Sequence, residues 1–339
     1  MRDVHLVGSV PLASARDVFV LLSEHLGPLL KRVPDGETGA RAGWVAGQYR
    51  RVLAGHPAFE PAPVAQGRYQ ALPPLRVRPG FDKSALKFPS LGYAHDVIHD
   101  SYPVFLEMRA TGEIHPHQRM LVPLPTPIAT VAGFVVPEDQ IAVEPAYERA
   151  LLREVAEIES AIPPADLAFQ WDVAREFMFV ENLRPSPYAD LWGGLGERLA
   201  RYAAGIPHGA EVGFHLCYGN QGQRHFIEPR DSGNLVRVAN LIAARVDRRV
   251  AFVHMPVPRD RDDDAYFAPM ADLKLPADTD LALGLLHIED GVEGARRRIN
   301  AASRYRRDFG VAAECGLGGR PKEQVTRIIE LHSAVARSS

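Results

Sequence analysis

Strand-like and helical patterns alternate along almost the whole chain, and that alternation restricts the fold more than any single motif does. Short apolar or β-branched runs occur at residues 4–7, 30–33, 120–124, 167–171, 211–216, 249–253, 281–286 and 310–313. Helical periodicity fills most of the gaps, notably over 13–26, from about 42, and over 137–162, 188–204, 234–245, 292–307 and 322–334. Strands separated by helices pair in parallel through right-handed crossovers. Eight such units predict an α/β protein of the (β/α)8 TIM-barrel class, one domain over 1–339. Residues 56–90, which begin proline-rich and without a clear period, are expected to form an irregular insertion near the barrel mouth.

Bulk properties narrow the partners. The formal charge of −3 gives no reason to expect nucleic acid or an anionic membrane. No apolar run is long enough to cross a bilayer, and the start Met-Arg-Asp-Val-His lacks the apolar core of a signal peptide. A cytoplasmic protein is the expectation. In that reducing compartment two cysteines distant in sequence bind metal more readily than they form a disulfide.

In a barrel of this kind the reactive groups stand at the C-terminal ends of the strands. Those ends read Gly8-Ser9, Asp35-Gly36-Glu37, Pro125-Thr126-Pro127, Asp172, His215 with Cys217, His254, His287 with Glu289, and Cys315. His215 and Cys217 are two apart on a strand and share a face. With Cys315 they form the donor set of a Zn2+ site that has one tetrahedral position left over. A substrate thiol entering that position would lose its proton to the metal's charge and become a nucleophile. The competing reading makes all three ordinary core residues, since cysteine is among the most buried types.

His254 is either the fourth ligand or a polar pocket residue, with His225 and Glu228 as weaker alternatives. Glu37 is either a recognition group for a substrate amine or a helix-start carboxylate. Asp172 either serves the site or pairs with Arg175 on the next turn. His287 and Glu289, again two apart, are candidates to manage the thiol proton, against a satisfied core histidine. Tyr218, Asn220 and Trp44 are further candidates for the pocket wall, and His115 and His117 are assigned to the opposite rim.

His215-Leu-Cys217-Tyr, followed far downstream by Cys315-Gly-Leu, resembles the zinc signature of the cobalamin-independent methionine synthase family, in its C-terminal catalytic barrel. Val7-Gly8-Ser9, Gly36-Glu37 and Gln170-Trp171-Asp172 match in the same order. The wider superfamily includes alkyl transferases acting on other thiols and the metal-free uroporphyrinogen decarboxylases. The resemblance implies a zinc-dependent methyl or alkyl transferase acting on a homocysteine-like thiol. It gives His215, Cys217 and Cys315 as ligands, and Glu37 and Asp172 as the groups that hold the amino end of the substrate. Ser9, Tyr218 and Asn220 are further substrate-side candidates, although Tyr218-Gly219-Asn220 departs from the family after the metal motif.

This chain departs from the family pattern in several places. His254 stands where the family has a ligand glutamate. His287-Ile-Glu289 replaces Asp-Ile-His, which moves the proton-handling role toward Glu289. The family's N-terminal half has no counterpart here, so the expected donor is a small methylated molecule or a methylcorrinoid protein, and a homodimer is a candidate assembly. Three other activities compete: zinc-assisted carbon–sulfur cleavage or addition, a metal-free decarboxylase, and a barrel that binds a sulfur metabolite without turnover. Few arginines stand at the strand ends to hold several carboxylates, which disfavours the decarboxylase.

Overall fold

A computed structural model describes residues 1–63, 72–220 and 224–338. The strands are β1 (Arg32–Pro34), β2 (Phe59–Pro61), β3 (Leu75–Val77), β4 (Arg119–Pro125), β5 (Leu167–Val173), β6 (Glu211–Leu216), β7 (Phe252–Pro256), β8 (Asp280–Leu286) and β9 (Gly310–Ala313). Seven of them form one parallel sheet in the order β1-β4-β5-β6-β7-β8-β9. Each crossover between them includes helix, the longest being Pro137–Ala161. The central strands are buried along nearly their whole length, as expected for a sheet covered on both faces.

The eighth strand expected at residues 4–7 is not a regular one. Val4 makes single parallel bridges to Leu30 on one side and Val311 on the other, and Ser9 makes one to Gly36. The amide of Val4 donates to Leu29 O and that of His5 to Val311 O, both at 3.0 Å. The segment therefore lies between the two sheet edges as a seam. Its neighbours β1 and β9 are only three and four residues long, which limits the ladder it can form.

The irregular segment predicted over 56–90 contains the antiparallel hairpin β2–β3; its residues 64–71 lie outside those described. The hairpin docks on the C-terminal face through a bridge from Leu75 to Val135. Among the described residues no helix is long and apolar enough to cross a membrane.

Register explains where the polar residues collect. Asp172, His215 and His254 are in-register partners on β5, β6 and β7, so all three face the sheet interior. One residue lower, Trp171, Phe214 and Val253 form the matching row on the opposite face, against the helices. Two residues lower, Gly213 faces the interior between Gln170 and Phe252. An added Cβ there would run into the Phe252 ring, so the glycine makes room for a large neighbour on the inner face of the sheet.

Candidate metal centre

His215, Cys217 and Cys315 offer ligand atoms that all lie within 4.8 Å of one another. The two sulfurs are 3.4 Å apart, and Cys315 Sγ is 3.6 Å from His215 Nε2. A tetrahedral zinc with 2.3 Å bonds to sulfur separates two thiolates by about 3.8 Å, so the spacing needs only a small expansion to admit the ion. The chemistry of the set fits as well: two thiols and one imidazole, brought together from the ends of β6 and β9. Hydrogen bonding to Cys217, and then burial, push the Cys315 thiol well above its usual range. Ionising Cys315 in these surroundings is therefore unfavourable without a cation. Gly219 N donates to Cys217 Sγ at 3.1 Å.

His254 is not one of the three and does not stand beside them as a fourth donor. Strand β7 runs two residues past it to Pro256, which places it inside the sheet and fully buried. Both of its ring nitrogens are engaged: Nε2 with Ala313 O at 3.0 Å and Nδ1 with His215 Nδ1 at 2.7 Å. A carbonyl only accepts, so His254 Nε2 carries the proton, and burial keeps the ring neutral by pushing its pKa down to about 4. His254 Nδ1 must then accept from His215 Nδ1–H. That leaves His215 Nε2 as a bare lone pair facing the cysteines, the tautomer a metal requires.

Asp172 lies against this centre. Burial, and then Glu37, push its carboxyl well above the usual range. Gln170 Nε2 donates to Asp172 Oδ1 at 2.9 Å and to Val7 O at 2.5 Å, and Gln170 Oε1 meets His5 Nε2 at 3.0 Å. The alternative pairing with Arg175 does not form: Asp172 is held by its own strand.

Glu37 follows a glycine turn and itself has a positive φ of 51°, as does Trp44 with 50°. Two non-glycine residues in that region beside one site are the strained positions that functional sites often contain. Arg41 is drawn onto Asp35, which also accepts from Ser101 Oγ at 2.6 Å and from Glu37 N at 3.0 Å. Glu37 is thus left without a hydrogen-bonded cation. Desolvation, offset by Arg41 and reinforced by Asp35, raises its pKa to about 7.

That shift gives a test. A carboxyl whose folded pKa exceeds its ordinary 4.5 contributes stability that is present below 4.5 and lost as pH rises through about 7. Glu37→Gln should therefore raise the unfolding midpoint at pH 8 and leave it nearly unchanged at pH 5. Equal shifts at both pH values would show that Glu37 is not strained by its charge.

The remaining candidates are spread more widely. Ser9 grips the loop after the last cysteine, accepting from Gly318 N at 3.2 Å, and Asn220 Nδ2 donates to Gly316 O at 3.1 Å in the same loop. Tyr218, expected on the pocket wall, is fully buried with its hydroxyl on Glu181 at 2.9 Å. His287 is buried and donates from Nε2 to Val257 O at 2.9 Å. Glu289, expected beside it, stands at the surface near Arg320 at 3.5 Å.

The carboxylate that does approach His287 is Glu314, which sequence reasoning passed over. Its Oε2 is 3.7 Å from His287 Nδ1 and 3.5 Å from His225 Nε2. Its position directly before Cys315 was the available signal. Neither His225 nor Glu228 joins the cysteine cluster. His225 Nδ1 faces Glu228 at 3.1 Å instead.

No family model matches the sequence. No curated protein matches it either. Among solved structures, the chain is similar to a B12-independent methionine synthase from Shewanella sp. W3-18-1 in complex with selenomethionine, with a TM-score of 0.64 and 14% identity over 99% of this chain and 97% of that one. It is also similar to a methyltransferase from Methanosarcina mazei, with a TM-score of 0.51 and 12% identity over 98% and 94% of the two chains. At such identities the likeness shows a common fold.

Proposed function

We propose that this chain is a zinc-dependent methyl or alkyl transferase that acts on a small, homocysteine-like thiol. The observation that carries the reading is the convergence of His215, Cys217 and Cys315 at zinc spacing, with no fourth protein donor among the described residues. The fold shared with a methionine synthase and a methyltransferase supports it. Zinc at this site would favour the ionised form of an incoming thiol at neutral pH.

The chain's own groups do the rest. Glu37 and Asp172 place two carboxyls on one side of the centre, and a substrate ammonium would settle both as carboxylates. His287 holds its Nε2 proton on Val257 O, which leaves Nδ1 toward Glu314 as the acceptor for the thiol proton. We assign proton handling to His287 with Glu314, in place of the exposed Glu289. In the transfer, the substrate sulfur forms a bond to carbon as the bond from that carbon to the donor breaks, and the donor keeps the electron pair.

Purified protein should contain one zinc per chain. Incubation with thiols and methylated donors, read by mass spectrometry, should give an S-methyl product from an aminothiol. Metal-free protein that still turns over would end the proposal.

Gly8→Ala tests the amine end separately. A Cβ on Gly8 would lie 2.5 Å from Glu37 Oε1 and 2.8 Å from Pro123 Cγ. Displacing Glu37 should raise KM for an aminothiol while leaving an amino-free thiol nearly unaffected. Equal effects on both thiols would remove Glu37 from substrate recognition.

A further inference from the structure

Two arginines on the rim outside β5 have no anionic partner among the described residues. Arg175 follows the strand by two residues and is half-buried. Its guanidinium lies over Gly133, whose added Cβ would be 3.9 Å from Nε and Nη2, near the end of the helix Pro127–Phe134 that leaves β4. Its one side-chain hydrogen bond is from Nη1 to the sulfur of Met178 at 3.6 Å. A thioether is a weak acceptor and offers no charge.

The charges around Arg175 make the deficit plain. Burial, and then the neighbouring Arg184, lower its pKa. Glu176 is the acid that acts on it, but that carboxyl accepts from Thr126 Oγ1 at 2.5 Å and is pushed up by burial to about 7, so it carries only part of a charge. Most of the other rim arginines that lie near carboxylates are paired, Arg261 with Asp263 at 2.7 Å among them. A half-buried guanidinium near a second cation, with no carboxylate at ion-pair distance, is suited to a counter-ion from outside the chain.

We propose that Arg175 and Arg184 form an oxyanion subsite on the C-terminal face, between the exits of β4 and β5, that takes a carboxylate or phosphate group of the alkyl donor. Naming the donor as bearer of that group rests on the transferase reading; the anion site itself does not. Asp172, three residues before Arg175, faces the metal centre from the same strand, so a molecule anchored here by an anionic end can present its other end to the thiol. The planar fork of arginine suits both oxyanions.

The test uses inorganic phosphate and glutarate as probes, titrated at low salt into zinc-loaded and metal-stripped protein and followed by NMR. Saturable binding to both protein forms is expected. Arg175→Gln should weaken it by about tenfold or more and Arg184→Gln by less, Arg175→Lys should retain part of it, and Arg261→Gln should leave it unchanged. Near-UV circular dichroism establishes that each variant is folded. Tighter phosphate than glutarate assigns a phosphate group, and the reverse a carboxylate.

Binding that appears only where salt already screens the pair, or that persists in folded Arg175→Gln, overturns the subsite. That result would leave zinc content and thiol methylation untouched. Absence of zinc with anion binding intact would instead remove the transferase and keep the subsite.

Discussion

Cys315→Ser and Cys217→Ser should each yield protein that folds, carries little or no zinc, and shows no methylation of any thiol. Each substitution removes one of three protein donors, and among the described residues no further donor belongs to the cluster. The loss should exceed the roughly ten- to hundredfold that removing a supporting hydrogen bond costs a metal site. Heat offers a readout independent of turnover. A ligand that binds only the folded state stabilises it by about 2.7 kcal/mol when its free concentration is a hundred times Kd. Zinc should therefore raise the unfolding midpoint of the wild-type protein and leave both serine variants where they were. If either variant takes up zinc and gains stability as the wild type does, the cysteines are core residues and the transferase reading fails.

His254 should separate two hydrogen-bonding roles from plain packing. His254→Phe fills the buried space but cannot accept from His215 Nδ1–H or donate to Ala313 O. Zinc affinity should fall by roughly ten- to a hundredfold. His254→Gln can do both, since its carbonyl accepts and its amide donates, and affinity should stay within a few-fold of wild type. Rescue by glutamine and not by phenylalanine identifies a positioning residue that acts through His215. If both variants lose zinc as completely as the cysteine variants do, His254 is itself a ligand after all. Cobalt substitution adds a spectroscopic check: His254→Gln should keep the wild-type tetrahedral ligand-field bands, whereas loss of a direct ligand would change them.

These residues also show how far the sequence could be read. The alternation of periods two and 3.6 located the seven sheet strands to within a few residues, because buried parallel strands are written as compact apolar runs. The i, i+2 rule placed His215 and Cys217 on one face correctly, since that follows from strand geometry alone. Depth along the strands was not legible. The strand near 250 was expected to stop at residue 253, which would have put His254 at the mouth. The ladder instead continues to Pro256 and leaves His254 behind His215.

The same limit misplaced Glu289 and hid Glu314. Both stand near strand ends, and only the turn after β9 determines which carboxylate faces inward. Tyr218 failed for a related reason. It alternates with Cys217, so it points away from the centre, into the layer where Glu181 and Phe177 meet it. The seam at Val4 was invisible because its strand character depends on two neighbours from opposite ends of the sheet.

That seam ties the cysteine cluster to contacts between segments far apart in the sequence. Ser9, at the far end of that segment, clasps the turn carrying Cys315, and Val4 bridges to Val311 in β9. Until β9 docks, His215 and Cys217 on β6 would lack Cys315 beside them. An ion held by His215, Cys217 and Cys315 would then fasten the end of β6 to the end of β9.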